Sequence, residues 1–433
     1  MVYLKTGIFF LGIFLLTQGG EAVLKEENPN IRVLIIDSVN SIILIPGSAW
    51  HAKNPDDRDT ISLPENQETA ISFVEKRILL GNARGSLKAK TLLLISLAPG
   101  GTIRIRKESS SNDDANIYEG ILEVFPAKDG NIELVLTLPM EDYLKGVVPY
   151  EIGSSSPLEA MCAQAVAARS EAYVALATGK YAGEHYDICS DVGCQVFRGN
   201  KKRTAQSDKA VRLTSGHLLM FEGKPISAYY ASTCGGHSED IRNVWEDRAG
   251  ESAYWGSAGP DGEITISLDL SREEDFRKWL QQSPDVYCNP EKYKIPGWTH
   301  KNFRWKREVS AEDLTKFVAR KKDIGRVIKI RPIKRGVSGR LIEAEFIGEK
   351  GSLVVKPELS IRRIFSPGLR SGAFVVDPQG PPEAPKRFII RGAGSGHGVG
   401  MCQVGAMGMA NDGKNFREIL RHYYPKAEIK VLY

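Results

Sequence analysis

The sequence predicts an α+β protein, in which a larger mixed domain of short helices and β-hairpins, interrupted by an inserted lobe, follows a small β-rich domain. Short β-branched runs separated by polar turns fill the first quarter of the chain, which is typical of strands. Small and apolar residues recur at helical spacing after Ser156, which predicts a helix. Turn residues between alternating apolar segments, such as residues 128–130 (KDG), indicate hairpins.

Composition excludes several classes of protein. The chain has 433 residues, of which 42% are hydrophobic and 26% charged, as in ordinary globular proteins rather than disordered ones. Its 58 Lys and Arg against 53 Asp and Glu give a net charge of +5. That charge is too small and too dispersed for a nucleic-acid-binding protein, but it suits contact with an anionic polymer.

The first 22 residues predict an export signal. Lys5 precedes an apolar run over residues 7–16, and small or polar residues follow it, as in secretory signals. Ten apolar residues are too few to span a bilayer, which needs about 20. We therefore expect a mature protein that begins near residue 23 in a periplasm or cell wall. A buried first strand or helix is the alternative.

Residues 23–117 form the predicted β-rich domain and residues 118–427 the mixed domain. In the mixed domain a short helix is expected to end at Pro149, and a second helix to begin with Ser156 as its N-cap and Glu159 in a capping box. Residues 248–300, rich in Gly, Pro and Trp, predict the inserted lobe.

Glu151 is the most suggestive carboxylate in the chain. It lies between two proline-marked breaks among apolar neighbours, and burial against such side chains raises the pKa of a Glu toward the range of a general acid. The N-terminus of the following helix would oppose this by favouring the charged form. A solvated loop residue is the alternative interpretation.

Cysteine and histidine spacing leaves a metal site and a disulfide both open. His185, Cys189 and Cys194 lie within ten residues and could bind Zn²⁺, with Cys234 or His237 as a fourth ligand. An exported protein more often oxidises such thiols to a disulfide. Free buried cysteines are a further possibility for the six cysteines of the chain.

The glycine-rich segment around His397 matches neither common phosphate-binding fingerprint. Alternate glycines from Gly392 to Gly400 instead predict close approach of backbone to backbone or to a ligand, with room for a polysaccharide. His397 is either a functional proton or hydrogen-bonding group or a structural side chain in a tight loop.

Five ordered segments from about Tyr118 onward together resemble the stage II sporulation protein D family. These segments are residues 138–152 (LPMEDYLKGVVPYEI), 159–169 (EAMCAQAVAAR), 187–197 (DICSDVGCQVF), 228–236 (AYYASTCGG) with 243–245 (NVW), and 394–406 (GSGHGVGMCQVGA).

The resemblance implies a peptidoglycan lytic transglycosylase that acts on glycan strands stripped of their peptides. Its catalytic acid and base maps to Glu151, no cofactor is required for cleavage, and some relatives bind a structural Zn²⁺ in the loop that holds Cys189 and Cys194. The expected metal ligands are His185, Cys189, Cys194 and Cys234. The residues expected to assist substrate binding are Tyr150, Gln164, Arg169, Gln195, Ser232, His397 and Gln403.

Two other functions stay open at this point. One is a non-catalytic, glycan-binding enhancer that presents strands to an N-acetylmuramoyl-L-alanine amidase, and the other is an ordinary glycan hydrolase. The expected partners are peptidoglycan strands and such an amidase, and no nucleic acid is expected. Tyr150, Tyr230 and Trp245 offer flat faces for sugar rings.

Overall fold

A computed structural model describes residues 27–57, 59–251 and 258–433 of the chain. Helices and strands are both abundant and form several separate sheets, so the predicted α+β class is confirmed. The predicted export signal at residues 1–22 lies outside the described residues. Among the helices of the described part, none is long and apolar enough to cross a membrane.

Two antiparallel β-sheets occupy the first third of the chain. A six-stranded sheet has the spatial order Asn116–Glu119, Thr102–Lys107, Ser41–Pro46, Thr69–Val74, Arg77–Asn82 and Gly85–Ala89. A seven-stranded sheet, antiparallel except for its first pair, has the order Ile188–Cys189, Asn30–Val39, Ile132–Pro139, Ile121–Pro126, Leu92–Ser96, Trp50–Lys53 and Thr60–Leu63.

These sheets extend across the boundary predicted at residues 117 and 118. Strand Asn30–Val39 pairs with strand Ile132–Pro139, with Val33 opposite Leu136. Strand Ile121–Pro126 likewise pairs with Leu92–Ser96. Inward-facing residues of both sheets belong to one hydrophobic core with the central helices. The β-rich segment therefore shares its sheets with the segment that carries Glu151.

Helix Leu158–Thr178, which is buried throughout residues 160–170, runs through this core. Its small residues allow close packing of neighbouring elements, as their spacing predicted. The predicted capping box is wrong: the helix begins after Pro157, the Ser156 hydroxyl donates to the carbonyl of Ile152 at 2.6 Å, and Glu159 accepts from the backbone of Phe416. The helices packed around it include Met140–Val148, Ala205–Leu213, Gln403–Asn411 and Phe416–Tyr423.

A second core lies in the C-terminal half of the chain. It is formed by two three-stranded sheets and two helices, Ala311–Ala319 and Glu358–Ile364. In the first sheet the strand order is Arg304–Ser310, Arg387–Ala393, Phe374–Gln379. In the second sheet the order is Val327–Arg335, Leu341–Gly348, Gly351–Val355.

The remaining elements are short. In the predicted inserted lobe, the described residues contain helix Glu273–Gln281 and little other regular structure. The other short elements are helices Ile241–Val244 and His300–Phe303, strands His217–Phe221, Lys224–Pro225, Tyr230–Ala231, Met401–Cys402 and Glu428–Val431, and single turns at Asn112–Asp114, Pro149–Gly153, Glu246–Glu251 and Gly297–Thr299.

Candidate active site

A cleft of about 680 Å³ contains Glu151. Helix Leu158–Thr178, the loop after Cys189, the segment around Tyr230 and the glycine-rich loop all contribute to its wall. Four aromatic side chains line it: Tyr229, Tyr230, Trp245 and Trp298. Trp298 is half exposed, so its ring is available to a ligand. A cleft with aromatic walls suits a polysaccharide, because sugar rings pack on flat apolar faces.

Glu151 is held in a single π-helical turn, Pro149–Gly153, which follows directly on helix Met140–Val148. Such turns are frequent at functional sites because they re-aim one side chain. Gly153 ends the turn with a φ of 93°, a conformation that favours glycine, and a side chain there would crowd the Trp298 ring.

Two hydrogen-bond donors meet the Glu151 carboxyl. The Val196 backbone N–H donates to its Oε1 at 2.6 Å, and the Gln403 side chain forms a second hydrogen bond. Burial raises the pKa of Glu151, and the two donors partly oppose that rise because they favour the ionised form. The carboxyl is therefore protonated at higher pH than an ordinary Glu, and its anion still has partners.

Gln164 lies behind the wall of the cleft and does not line it. Its Oε1 accepts from the Nε2 of Gln403 at 3.1 Å, and its side chain is fully buried. This corrects the expectation that Gln164 binds substrate, because no surface of it faces the cleft. It orients the Gln403 amide, which lines the cleft.

Gln195 lines the cleft, but both ends of its amide are already bonded. Its Nε2 donates to the carbonyl of Ala168 at 3.1 Å, and its Oε1 accepts from the Tyr230 hydroxyl at 3.1 Å. These bonds hold the loop that presents the Val196 N–H against helix Leu158–Thr178.

Arg169 and Tyr150 do not line the cleft. The Arg169 guanidinium is fully buried, donates to both carboxylate oxygens of Glu141 at 2.8 and 2.7 Å, and also donates to the carbonyl of His217. The Tyr150 ring packs against the Lys202 ammonium, 4.7 Å from the ring centroid. Arg169 therefore stabilises the fold, and the expectation that it binds substrate is corrected.

Ser232 and His397 both line the cleft. The Val399 N–H donates to Nδ1 of His397, so Nε2 carries the proton and donates to the carbonyl of Tyr230 at 3.0 Å. Burial, with the nearby Arg340 charge, lowers the pKa of His397 to about 3. Of the two predicted roles for His397, the structure favours a neutral ring that fixes the glycine-rich loop.

The alternate glycines serve close packing within the protein, the first of the two expected alternatives, more than ligand binding. A side chain at Gly398 would overlap the buried Arg340 guanidinium, and one at Gly392 would overlap the Trp305 ring. Gly394 has a φ of 77° and lies against the Thr233 carbonyl. Within this series, Gly396 is the glycine that lines the cleft.

Sequence reasoning missed Glu171, a second carboxyl group in the cleft. Burial and the neighbouring Glu251 raise the pKa of Glu171 to about 7, against the opposing charges of Arg248 and Lys180. Among the described residues, its Oε1 has no hydrogen-bond partner. An acidic residue inside an alanine-rich, buried helix was the signal that could have found it.

Two family models and several known proteins match this chain. The sequence model described as stage II sporulation protein matches residues 128–221, which include Glu151, and a domain of unknown function (DUF8618) matches residues 239–400. An uncharacterized protein of Brachyspira hyodysenteriae is 31% identical over 313 residues, which is 72% of each chain. Stage II sporulation protein D of Bacillus amyloliquefaciens is 27% identical, over 68% of this chain and 75% of its own.

The chain belongs to the stage II sporulation protein D family. The amidase enhancer of Bacillus subtilis is also similar, at 27% identity over 300 residues, or 65% of this chain. The chain covers 39% of that longer protein.

The cysteine loop of this family member holds a disulfide, not the predicted metal. Cys189 and Cys194 are bonded to each other, so neither sulfur is a free thiolate ligand. His185 stacks on the Phe125 ring, with centroids 3.9 Å apart. Cys234 is not in this loop and contacts Cys288 instead. The expected four ligands are therefore not brought together, and the disulfide alternative holds.

Proposed function

We propose that this chain is a lytic transglycosylase, which cleaves the bond from N-acetylmuramic acid to N-acetylglucosamine in peptidoglycan strands and leaves 1,6-anhydro ends. One observation carries the proposal: Glu151 lies in an aromatic-walled cleft with a raised pKa and two donors directed at its carboxyl group. The family assignment and the position of Glu151 in the family's matching segment support it.

In the first step, protonated Glu151 donates its proton to the glycosidic oxygen as the bond to the anomeric carbon breaks. An oxocarbenium-like centre develops on the muramic acid ring. Glu151 becomes a carboxylate at this moment, and the Val196 N–H and the Gln403 amide stabilise the new charge. These donors gain strength as the negative charge appears, so they favour the transition state over the bound substrate.

In the second step, the Glu151 carboxylate accepts the proton of the sugar's own C6 hydroxyl. The C6 oxygen attacks the anomeric carbon and closes the 1,6-anhydro ring, which returns Glu151 to its protonated state. No water enters the product. One carboxyl group is enough for both proton transfers, unlike the paired carboxylates of hydrolases.

An exported protein that acts in a periplasm or cell wall fits this function, with peptidoglycan strands as its substrate. We further propose that the preferred strands have already lost their peptides through an N-acetylmuramoyl-L-alanine amidase. A stem peptide would need space beside the muramic acid, where Tyr229, Trp245 and Trp298 stand around the cleft.

Substrate choice is tested by digesting peptidoglycan before and after treatment with such an amidase and counting new ends by mass spectrometry. We expect new anhydro ends mainly from the amidase-treated material. Equal yields from both materials would contradict the preference for peptide-free strands.

A non-catalytic role is the second candidate, because the amidase enhancer of Bacillus subtilis is a relative. In that case the cleft would bind strands without cutting them, and the same digestion would produce no new ends. A purified amidase assayed with this chain would instead release peptides faster.

A further inference from the structure

A second cluster of reactive side chains, outside the cleft lining, is formed by Cys234, Asp261, Cys288 and Cys402. All four residues are almost completely buried. They come from distant parts of the chain: Cys234 precedes a double-glycine turn, Asp261 and Cys288 belong to the predicted inserted lobe, and Cys402 caps helix Gln403–Asn411. Nothing in the proposed reaction uses them.

The cluster has the dimensions of a tetrahedral metal site. One ligand atom from each residue lies within 4.8 Å of the other three. The Sγ atoms of Cys234 and Cys288 are 3.6 Å apart. Zinc–sulfur bonds of about 2.3 Å at tetrahedral angles place two sulfurs about 3.8 Å apart, which is close to this spacing.

Backbone donors already surround the sulfur atoms. The N–H groups of Cys234 and Gly405 point at the Cys402 sulfur, at 3.2 and 3.3 Å, and the Gly236 N–H points at the Cys234 sulfur at 3.3 Å. N–H groups directed at a sulfur atom favour its thiolate form, because they stabilise the negative charge. Donors of this kind commonly orient and neutralise thiolates that bind a metal.

Asp261 is also fixed by its neighbours. Its Oδ1 accepts from the Tyr423 hydroxyl at 2.6 Å, and its Oδ2 accepts from the Cys288 N–H at 3.1 Å. Gly405 makes room for this arrangement, since a side chain there would collide with Asp261 and Tyr423. Carboxylates that bind a metal are typically held by such hydrogen bonds.

Disulfide pairing does not account for the cluster. Three thiols cannot all pair among themselves, and a pair would leave Asp261 buried beside one free thiol. Ionised forms of these buried groups are costly without a cation, because each charge would lose its water and gain no counter-charge. A divalent cation at the centre would stabilise the deprotonated forms and use all four groups.

A cavity of about 120 Å³ adjoins the cluster in the described structure. It is lined by Cys234 and Asp261, together with His422 and Tyr423. Metal ions need space beside buried ligands to reach them.

We propose that Cys234, Asp261, Cys288 and Cys402 bind one structural Zn²⁺ ion. Three thiolates and one carboxylate suit the borderline-soft zinc ion better than Mg²⁺ or Ca²⁺, which prefer oxygen ligands. Binding displaces the protons of the thiols and of Asp261 to solvent. The four protein ligands leave no open position, so the ion is structural.

The ion would connect the inserted lobe to the cleft. Cys402 directly precedes Gln403, the residue that bonds to Glu151 and Gln164. Cys234 follows Ser232, which lines the cleft. Zinc would therefore fix the start of helix Gln403–Asn411 and the position of the Gln403 amide.

The test measures metal in the full chain, purified without chelator and with thiols protected. We expect about one Zn²⁺ per chain by elemental analysis. After reduction and chelation, added Co²⁺ should produce the visible bands of tetrahedral, thiolate-bound cobalt. Removing the metal should lower the melting temperature by at least about 5 °C, and Zn²⁺ should restore it.

Cys288→Ser and Asp261→Asn variants should lose the cobalt bands. Cys162→Ser is the matched control, because Cys162 is a buried free cysteine outside the cluster, and it should keep them. Where a variant fails to fold, the cobalt titration of the unaltered, reduced chain tests the proposal by itself. The proposal would be overturned if that chain bound no metal, if a peptide map showed a disulfide between Cys234 and Cys288, or if both variants fully retained cobalt. None of these readouts depends on glycan cleavage.

Discussion

Glu151 and Glu171 line the same cleft, yet their carboxyl groups have different neighbours. Burial raises the pKa of both. Glu151 receives two donors, a backbone N–H and a side-chain amide, whereas Glu171 receives one backbone N–H, from Ala228. The Oε1 of Glu171 has no hydrogen-bond partner among the described residues, and the carboxyl group lies near Glu251. A group that cycles between acid and base needs partners for its anion, and Glu151 has them. The comparison indicates that a strongly raised pKa alone does not identify the proton donor.

Replacing each carboxyl group with an amide should distinguish the roles of Glu151 and Glu171 most clearly. We expect Glu151→Gln to lose at least about 100-fold in the rate of new end formation, since the amide cannot transfer a proton. Glu171→Gln should lose about tenfold or less. Rates are measured on peptide-free glycan, with circular dichroism as the folding control. A larger loss in the Glu171 variant would reverse the assignment.

Glu171 should affect stability more than catalysis. Its pKa of about 7 in the folded chain exceeds the ordinary 4.5, so the folded state holds the proton more tightly. The contribution of protonated Glu171 to stability is therefore lost as pH rises from about 4.5 to 7. Above that range, the ionised carboxyl group lowers the free energy of unfolding by about 3 kcal/mol.

Urea unfolding of the Glu171→Gln variant measures this cost. The variant should gain stability over the unaltered chain at about pH 8 but not at about pH 5. Glu251, Arg248 and Lys180, which face the group, remain in place. An equal difference at both pH values would show that the effect is packing rather than charge.

Loss of the Gln403 donor should have a smaller, diagnostic effect. In Gln403→Met the ionised form of Glu151 loses one hydrogen bond, so the pKa of Glu151 rises further. Because the reaction needs protonated Glu151, the alkaline limb of the pH–rate profile should move to higher pH. Turnover should fall about tenfold, because the developing carboxylate is less stabilised. Gln164→Ala should shift the limb in the same direction but less, and a shift to lower pH in either variant would contradict this role.

Local signals in the sequence were enough for the fold class, and they placed Glu151 among apolar neighbours, but its assignment as the catalytic residue came from the family resemblance and stays a prediction. The β-branched runs, the helix ended by Pro149 and the apolar neighbours of Glu151 are all short-range patterns. Pairing of strand Asn30–Val39 with strand Ile132–Pro139 involves residues about 100 positions apart, so no local pattern could reveal it.

The cysteines illustrate the same limit. Cys189 and Cys194 are close in sequence, so their disulfide was one of the alternatives. Cys234 was expected to be the fourth ligand of a metal site with that loop, but its neighbours are Cys288 and Cys402, the latter 168 residues away. Likewise, the sequence alone could not distinguish a structural role of Arg169 from a substrate-binding role. The structure does so, because it shows Arg169 buried and bonded to Glu141.

The most direct test of the proposed function is digestion of peptide-free glycan in ¹⁸O-labelled water, followed by mass spectrometry of the new ends. If Glu151 uses the C6 hydroxyl as proposed, the new muramic acid ends will be lighter than reducing ends by one water and will carry no ¹⁸O. Glu151→Gln should form almost none of them. Reducing ends that contain ¹⁸O would instead show hydrolysis, and digestion without new ends would contradict cleavage by this chain.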